Sequence, residues 1–233
     1  MDLGGAASSL VNEMKIADGF LYAVGILDRT FNIGSETLEL RGSRDSFVAK
    51  LVPETGEVVW IEQIGGTGNA MASSFHLEDS RICVVGTFTG NTFFDVRNAV
   101  AREPKGKTDS FLVCYDTTSG KFLWITTIGE YDTEAETTGI TGRGGNLYVT
   151  GSFTETLFVD SYELQSEGKE DLYLIRYSNH TCFGISFANS SVCSEHGVCI
   201  AQDNCVCRKP YLGLDCSGQP TQESYGPVNL SVI

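Results

Sequence analysis

The sequence predicts an all-β protein, a partial β-propeller of about three four-stranded blades followed by a small disulfide-rich module. Three observations predict it. One set of segments recurs in the same order three times between residues 17 and 178. Each copy reads as short apolar strands punctuated by glycine turns. Cysteines Cys182, Cys193, Cys199, Cys205, Cys207 and Cys216 then crowd the end of the chain.

The middle copy shows the pattern most fully. It runs Ile82-Cys83-Val84-Val85-Gly86, Asp109-Ser110-Phe111-Leu112-Val113, Ser119-Gly120-Lys121-Phe122-Leu123-Trp124 and Ile128-Gly129. Upstream stand Leu21-Tyr22-Ala23-Val24-Gly25, Asp45-Ser46-Phe47-Val48-Ala49, Thr55-Gly56-Glu57-Val58-Val59-Trp60 and Ile64-Gly65. Downstream stand Leu147-Tyr148-Val149-Thr150-Gly151 and Asp171-Leu172-Tyr173-Leu174-Ile175. Gly25 to Gly86 is 61 residues, Gly86 to Gly151 is 65, and Trp60 to Trp124 is 64. A period of this size marks stacked or radially arranged units. The copies cover about 17–66, 80–129 and 143–178.

Each copy reads as four strands. In the middle one they lie near Met71–Leu77, Ile82–Phe88, Asp109–Tyr115 and Phe122–Ile128. Phe111-Leu112-Val113 is apolar on both alternating faces, as in a strand covered on both sides. Thr55-Gly56 and Ser119-Gly120 read as tight turns in which Gly supplies positive φ. Between the second and third strands lie longer excursions, such as Phe31 to Leu40 and Leu157 to Leu164, which read as hairpin extensions. The third copy is expected to lack its fourth strand. Trp60 and Trp124 each follow Asp45 and Asp109 by 15 residues, and the same step from Asp171 reaches Ser186, beyond Cys182.

These segments resemble the bacterial-type SBBP β-propeller repeat. They carry its Y-V-T-G-S-F strand at Tyr148 to Phe153, its D-x-F-V-A-K strand at Asp45 to Lys50, and its Trp-to-Gly-Gly strand from Gly56 through Trp60 to Gly66. The resemblance covers residues 1–178 and implies a fold without a defined activity. Leu3-Gly4-Gly5 matches Ile64-Gly65-Gly66 one period earlier, so the chain opens in mid-pattern. The expectation is that further repeats lie upstream of Met1.

The last cysteines form a second pattern across residues 179–217. Cys193-Ser194-Glu195-His196-Gly197-Val198-Cys199, Cys205-Val206-Cys207 and Tyr211-Leu212-Gly213-Leu214-Asp215-Cys216 are similar to an EGF-like domain of the tenascin and teneurin type. Six cysteines allow 15 connectivities by arithmetic alone. The resemblance implies Cys182–Cys199, Cys193–Cys205 and Cys207–Cys216. So short a segment cannot bury a sufficient core, and crosslinks must limit its unfolded ensemble. Zinc modules favour Cys-x-x-Cys knuckles, and none occurs here. Ser178-Asn179-His180-Thr181 offers no carboxylate ahead of Cys182, so calcium is not expected either. Sequons at Asn179, Asn189 and Asn229 agree with a secretory, glycosylated protein. Residues 218–233 read as a tail or linker.

Cys83 and Cys114 fall outside that module. The other copies have Tyr22 and Tyr148 at the first position and Lys50 and Arg176 at the second. Two readings stand: a cross-strand disulfide in the middle blade, or two separate buried thiols.

The 233 residues carry a net charge of −14 and no basic cluster, which excludes nucleic acid and anionic membrane as expected partners. No apolar run reaches the roughly 18 residues of a membrane span, so no direct membrane insertion is expected. Met1-Asp2-Leu3-Gly4-Gly5 has neither the basic region nor the apolar core of a signal peptide. The location expected from the cysteines is extracellular or at the cell surface, with the targeting signal elsewhere. His76, His180 and His196 are scattered, and no nucleophile elbow, HExxH, P-loop or DxDxDG loop occurs. The periodic Asp45, Asp109 and Asp171 read as structural caps, and Trp60 and Trp124 as core.

The functional expectation is a non-enzymatic binding or adhesion protein without cofactor. Its propeller loops recognise protein or glycan, and its EGF-like module is a spacer. Two other readings remain. Asp116 to Trp124 resembles the turn of quinoprotein propeller repeats, although those repeats are shorter. A purely structural repeat spacer is the third.

Overall fold

A computed structural model describes residues 10–33, 36–78, 80–159, 162–177, 181–182, 185–186, 192–201 and 204–218. The chain divides after Asn179 into two units. Both are built from antiparallel β-structure.

The first unit opens with β1 (Leu10–Ala17), β2 (Phe20–Leu27), the hairpin β3 (Phe31–Ile33) and β4 (Glu36–Leu38), then β5 (Asp45–Leu51) and β6 (Val58–Gly66). The second copy gives β7 (Ala70–Glu78), β8 (Arg81–Phe88), β9 (Thr92–Asp95), β10 (Val100–Arg102), β11 (Asp109–Asp116) and β12 (Phe122–Ile128). The third gives β13 (Ala135–Arg143), β14 (Asn146–Phe153), β15 (Thr156–Val159), β16 (Tyr162–Gln165) and β17 (Asp171–Tyr177). Blade 1 is β1-β2-β5-β6, blade 2 is β7-β8-β11-β12, and blade 3 is β13-β14-β17. Each sheet starts upstream of the repeat bounds at 17, 80 and 143, because a first strand precedes the Gly25, Gly86 and Gly151 strands. No fourth strand joins blade 3 among the described residues.

The repeat extends to irregularities. Each first strand carries a bulge at the same place, between Val11 and Glu13, Ala72 and Ser74, and Thr137 and Gly139. A bulge frees one residue from its own ladder and re-aims it. Asn12 Nδ2 donates to Ala72 O (2.5 Å), and Ser73 Oγ donates to Thr137 O (2.7 Å). The bulged residues therefore tie the first strand of one blade to that of the next.

Alternation along the third strands sends one set of side chains toward the preceding blade and the other toward the following one. Tyr22, Val24, Val48, Trp60 and Ile64 of blade 1 share one buried cluster with Phe75, Val84, Phe111, Val113 and Tyr115 of blade 2. All of β11 except Asp116 is buried, since both faces of blade 2 are covered. The other face of blade 1 has its own cluster, in which Leu27, Phe47, Ala49 and Leu51 pack under Phe31, Ile33 and Leu38 of the β3–β4 hairpin. On blade 3 the corresponding outward residues stand open: Leu172 is 84% and Leu174 73% exposed.

Short hydrogen bonds latch neighbouring blades. Ser46 Oγ donates to Ala70 O (2.8 Å) and accepts from Ala72 N (2.6 Å). One period later Ser110 Oγ donates to Ala135 O (2.9 Å). Ala70 N and Ala135 N donate to Arg44 O and Thr108 O. The turns are as the glycines require: φ is 70° at Gly56 and 69° at Gly120.

The second unit contains β18 (Thr181–Cys182), β19 (Ile185–Ser186), β20 (Gly197–Ala201) and β21 (Asn204–Cys207), paired as two hairpins. A core this small cannot hold itself, and the covalent links described below do so.

Candidate functional site

The hairpin extensions are more embedded than loops. Strand β9 of blade 2 pairs with β6 of blade 1 through Gly65–Phe93 and Gly66–Thr92, so blade 1's sheet continues as β6-β9-β10. A side chain at Gly66 would collide with Asn91 O, which explains why this strand ends in glycine. Phe94 is buried, and Tyr115 OH donates to its carbonyl (2.8 Å). In blade 3, β15 lies beside β12.

Between the β3–β4 hairpin, β6 and the β9–β10 turn lies a polar cleft of about 330 Å3, lined by Glu36, Thr37, Arg41, Glu62, Gln63 and Arg97 among others. The Glu62 side chain is only 14% exposed, while Arg97, which donates to its carboxylate, is 61% exposed. Burial pushes the Glu62 carboxyl above its ordinary value; the Arg97 guanidinium opposes this, and Asp95 adds to it. Gln63 Nε2 donates to Glu39 O (2.7 Å) and Asp45 Oδ2 (2.6 Å), fixing the floor. The exposed Arg41 and Arg97 therefore face solvent over an acidic base. Such a cleft offers charge and hydrogen bonds to a polar ligand. No sequence signal marked it, because Glu62 and Arg97 are far apart in the chain and belong to different copies.

The periodic aspartates have a common role. Asp45 accepts from Arg41 N (2.9 Å), Asp109 from Lys105 N (2.8 Å) and Asp171 from Glu167 N (2.6 Å), always four residues back. Asp109 also accepts from Gly106 N (3.0 Å). Each carboxylate thus closes the turn that feeds its strand. A Cβ at Gly65 or Gly129 would collide with the Asp45 or Asp109 carboxylate, so the Ile-Gly ending of the fourth strand is the partner of this aspartate. Asp109→Ala should cost about 1–3 kcal/mol by leaving two backbone donors unpaired. Urea unfolding of that variant checks it, and an unchanged midpoint would remove the capping role.

Among the described residues, no group of three or more His, Cys, Asp or Glu side chains is arranged to hold a metal ion. His76 is half-buried, and burial lowers its pKa below the ordinary value. His196 stacks on Tyr211 with ring centroids 3.5 Å apart. His180 lies outside the described residues.

The structure joins Cys83 to Cys114, directly opposed partners on β8 and β11 with Cα atoms 4.1 Å apart. Both are fully buried. Their register counterparts Tyr22–Lys50 and Tyr148–Arg176 are also direct cross-strand pairs. In the second unit Cys193 joins Cys205 and Cys207 joins Cys216, with Cα atoms 5.8 and 5.2 Å apart. A Cβ at Gly197 would meet Cys216 Sγ and Val206 O (2.8 Å), so the residue after His196 has to be glycine. The side chains of Cys182 and Cys199 lie outside the described residues, and with them the bridge expected between the two. Asn179, Asn189 and Asn229 also lie outside.

Fold and crosslinks define the class: an all-β, partial propeller unit joined to a small disulfide-rich module of extracellular type. The family comparison gives the module its name, since residues 187–216 match the EGF-like domain. That match includes five of the six clustered cysteines and leaves Cys182 outside. No curated protein matches the chain. No helix among the described residues is long and apolar enough to cross a membrane.

Proposed function

We propose that this is a non-enzymatic, glycosylated binding or adhesion protein acting outside the cell, built from SBBP-type repeats. The hairpin edge of the propeller recognises a protein or glycan, and the EGF-like domain is its spacer. The observation that carries this reading is the polar cleft between the extensions of blades 1 and 2, where Arg41 and Arg97 are presented over Glu62. The extensions brace neighbouring blades, so the rigid cleft between them is assigned the recognition role rather than mobile tips. Pre-organised polar side chains lose little on binding. The EGF-like match supports the extracellular setting.

The test is to screen the immobilised chain against glycan arrays and a panel of extracellular proteins, and to repeat any hit with Arg41→Ala plus Arg97→Ala. The expected loss is on the order of tenfold or more, as for a charged anchor. Thermal melting controls for the fold. Full binding by the double variant would place recognition elsewhere. A quinone absorbance band in the purified protein would favour the enzyme reading instead.

A further inference from the structure

The outward face of blade 1 carries an apolar hollow of about 230 Å3, lined by Leu10, Met14, Leu51, Val52, Pro53 and Gly56 among others. The repeat tells what belongs there. One period later, Gly120 corresponds to Gly56, Thr117 to Pro53, Tyr115 to Leu51 and Phe75 to Met14. In that second set Gly120 and Thr117 meet Trp60 of the preceding blade, which shares a buried cluster with Phe75 and Tyr115. A Cβ at Gly120 would meet the Trp60 ring at 2.9 Å, and Trp60 Nε1 donates to Thr117 O (3.0 Å). Phe75, with the blade 1 residue Lys15 over its ring, is 0% exposed, whereas Met14 is 62% exposed. The hollow is thus the register equivalent of an occupied tryptophan site.

We infer that the hollow receives the fourth-strand tryptophan of one more blade of this repeat. The chain's two tryptophans do not fill it, since Trp60 is seated on blade 2 and Trp124 is buried in blade 2's own fourth strand. Blade 3 of a second copy offers no fourth strand among its described residues. Continuity of the pattern gives the position. Leu3-Gly4-Gly5 repeats Ile64-Gly65-Gly66, which ends β6, and Trp60 precedes Ile64 by four residues.

The experiment inserts a second copy of Gly4–Ile64 between Leu3 and Gly4, one period of 61 residues. Methionine oxidation by peroxide, read by mass spectrometry, reports cover at the hollow. In the 233-residue chain all of the Met14 peptide should oxidise. In the extended chain half of it should resist, and the added tryptophan should emit at short wavelength. Trp60→Ala in the added copy should restore full oxidation. In a second arm, excess Pro53–Gly66 peptide should slow Met14 oxidation in the original chain, and the same peptide with Trp60→Ala should not. Uniform oxidation in the extended chain together with an inert peptide would overturn the inference. So would Met14 protection in the original chain that rises with concentration as the mass doubles, which would make a second copy the occupant.

Discussion

Trp60→Ala should destabilise the first unit by about 3–5 kcal/mol, the range for deleting a large buried aromatic. The effect is large because one side chain serves two blades. The indole stacks edge-on with Tyr22, covers Gly120 and donates to Thr117 O. Lys50 Nζ donates to the same carbonyl (2.9 Å) and lies over the Phe20 ring. Removing the ring opens a cavity at the blade 1–blade 2 contact and weakens that pair of donors together. Urea unfolding followed by far-UV circular dichroism checks it. A loss below about 0.5 kcal/mol, the level of an ordinary surface change, would mean that the blades do not depend on this contact.

Replacing Cys83 and Cys114 together by alanine should cost about 3–4 kcal/mol in the chain-entropy picture, given the 31-residue separation that the bridge closes. Because both sulfurs are fully buried, a thiol reductant should reach the bond only when blade 2 opens. The double variant should therefore lower the urea midpoint, and reduction of the native protein should be slow without urea and fast with it. Rapid reduction in native buffer would contradict the burial of this bond. An unchanged midpoint in the variant would assign the two cysteines a packing role only.

The bridge takes the cross-strand position that blade 1 gives to a lysine. In blade 1 the matching position holds Lys50, whose ammonium ends on Thr117 O in the turn between β11 and β12. A cystine needs no hydrogen-bond partner and fills the same cross-strand pair.

Much of the fold was legible because it rests on local signals repeated in register. The third and fourth strands of blade 2, the glycine turns at Gly56 and Gly120, and the capping by Asp45, Asp109 and Asp171 all follow from nearest-neighbour chemistry. Ser46 and Ser110 carried the same periodic signal, since each follows its aspartate, yet their role as latches depends on which backbone atoms the next blade brings near. The bulges at Asn12 and Ser73 left no compositional mark. The extensions were legible as hairpins, but not the pairing of β9 with β6, because backbone hydrogen bonding between blades is blind to side-chain type.

By itself, then, the sequence determined the repeat, the alternation that gives every blade two apolar faces, and the cysteine spacing of the EGF-like module. Those properties are encoded by periodicity, turn residues and spacing, which act over a few residues. The tertiary structure alone decided which face meets which blade, where the Arg41–Arg97 cleft forms, and that the hollow on blade 1 is the register equivalent of the Trp60 site. These depend on residues about 60 positions apart meeting across a packed interface, and their energies come from burial and shape rather than from any local preference.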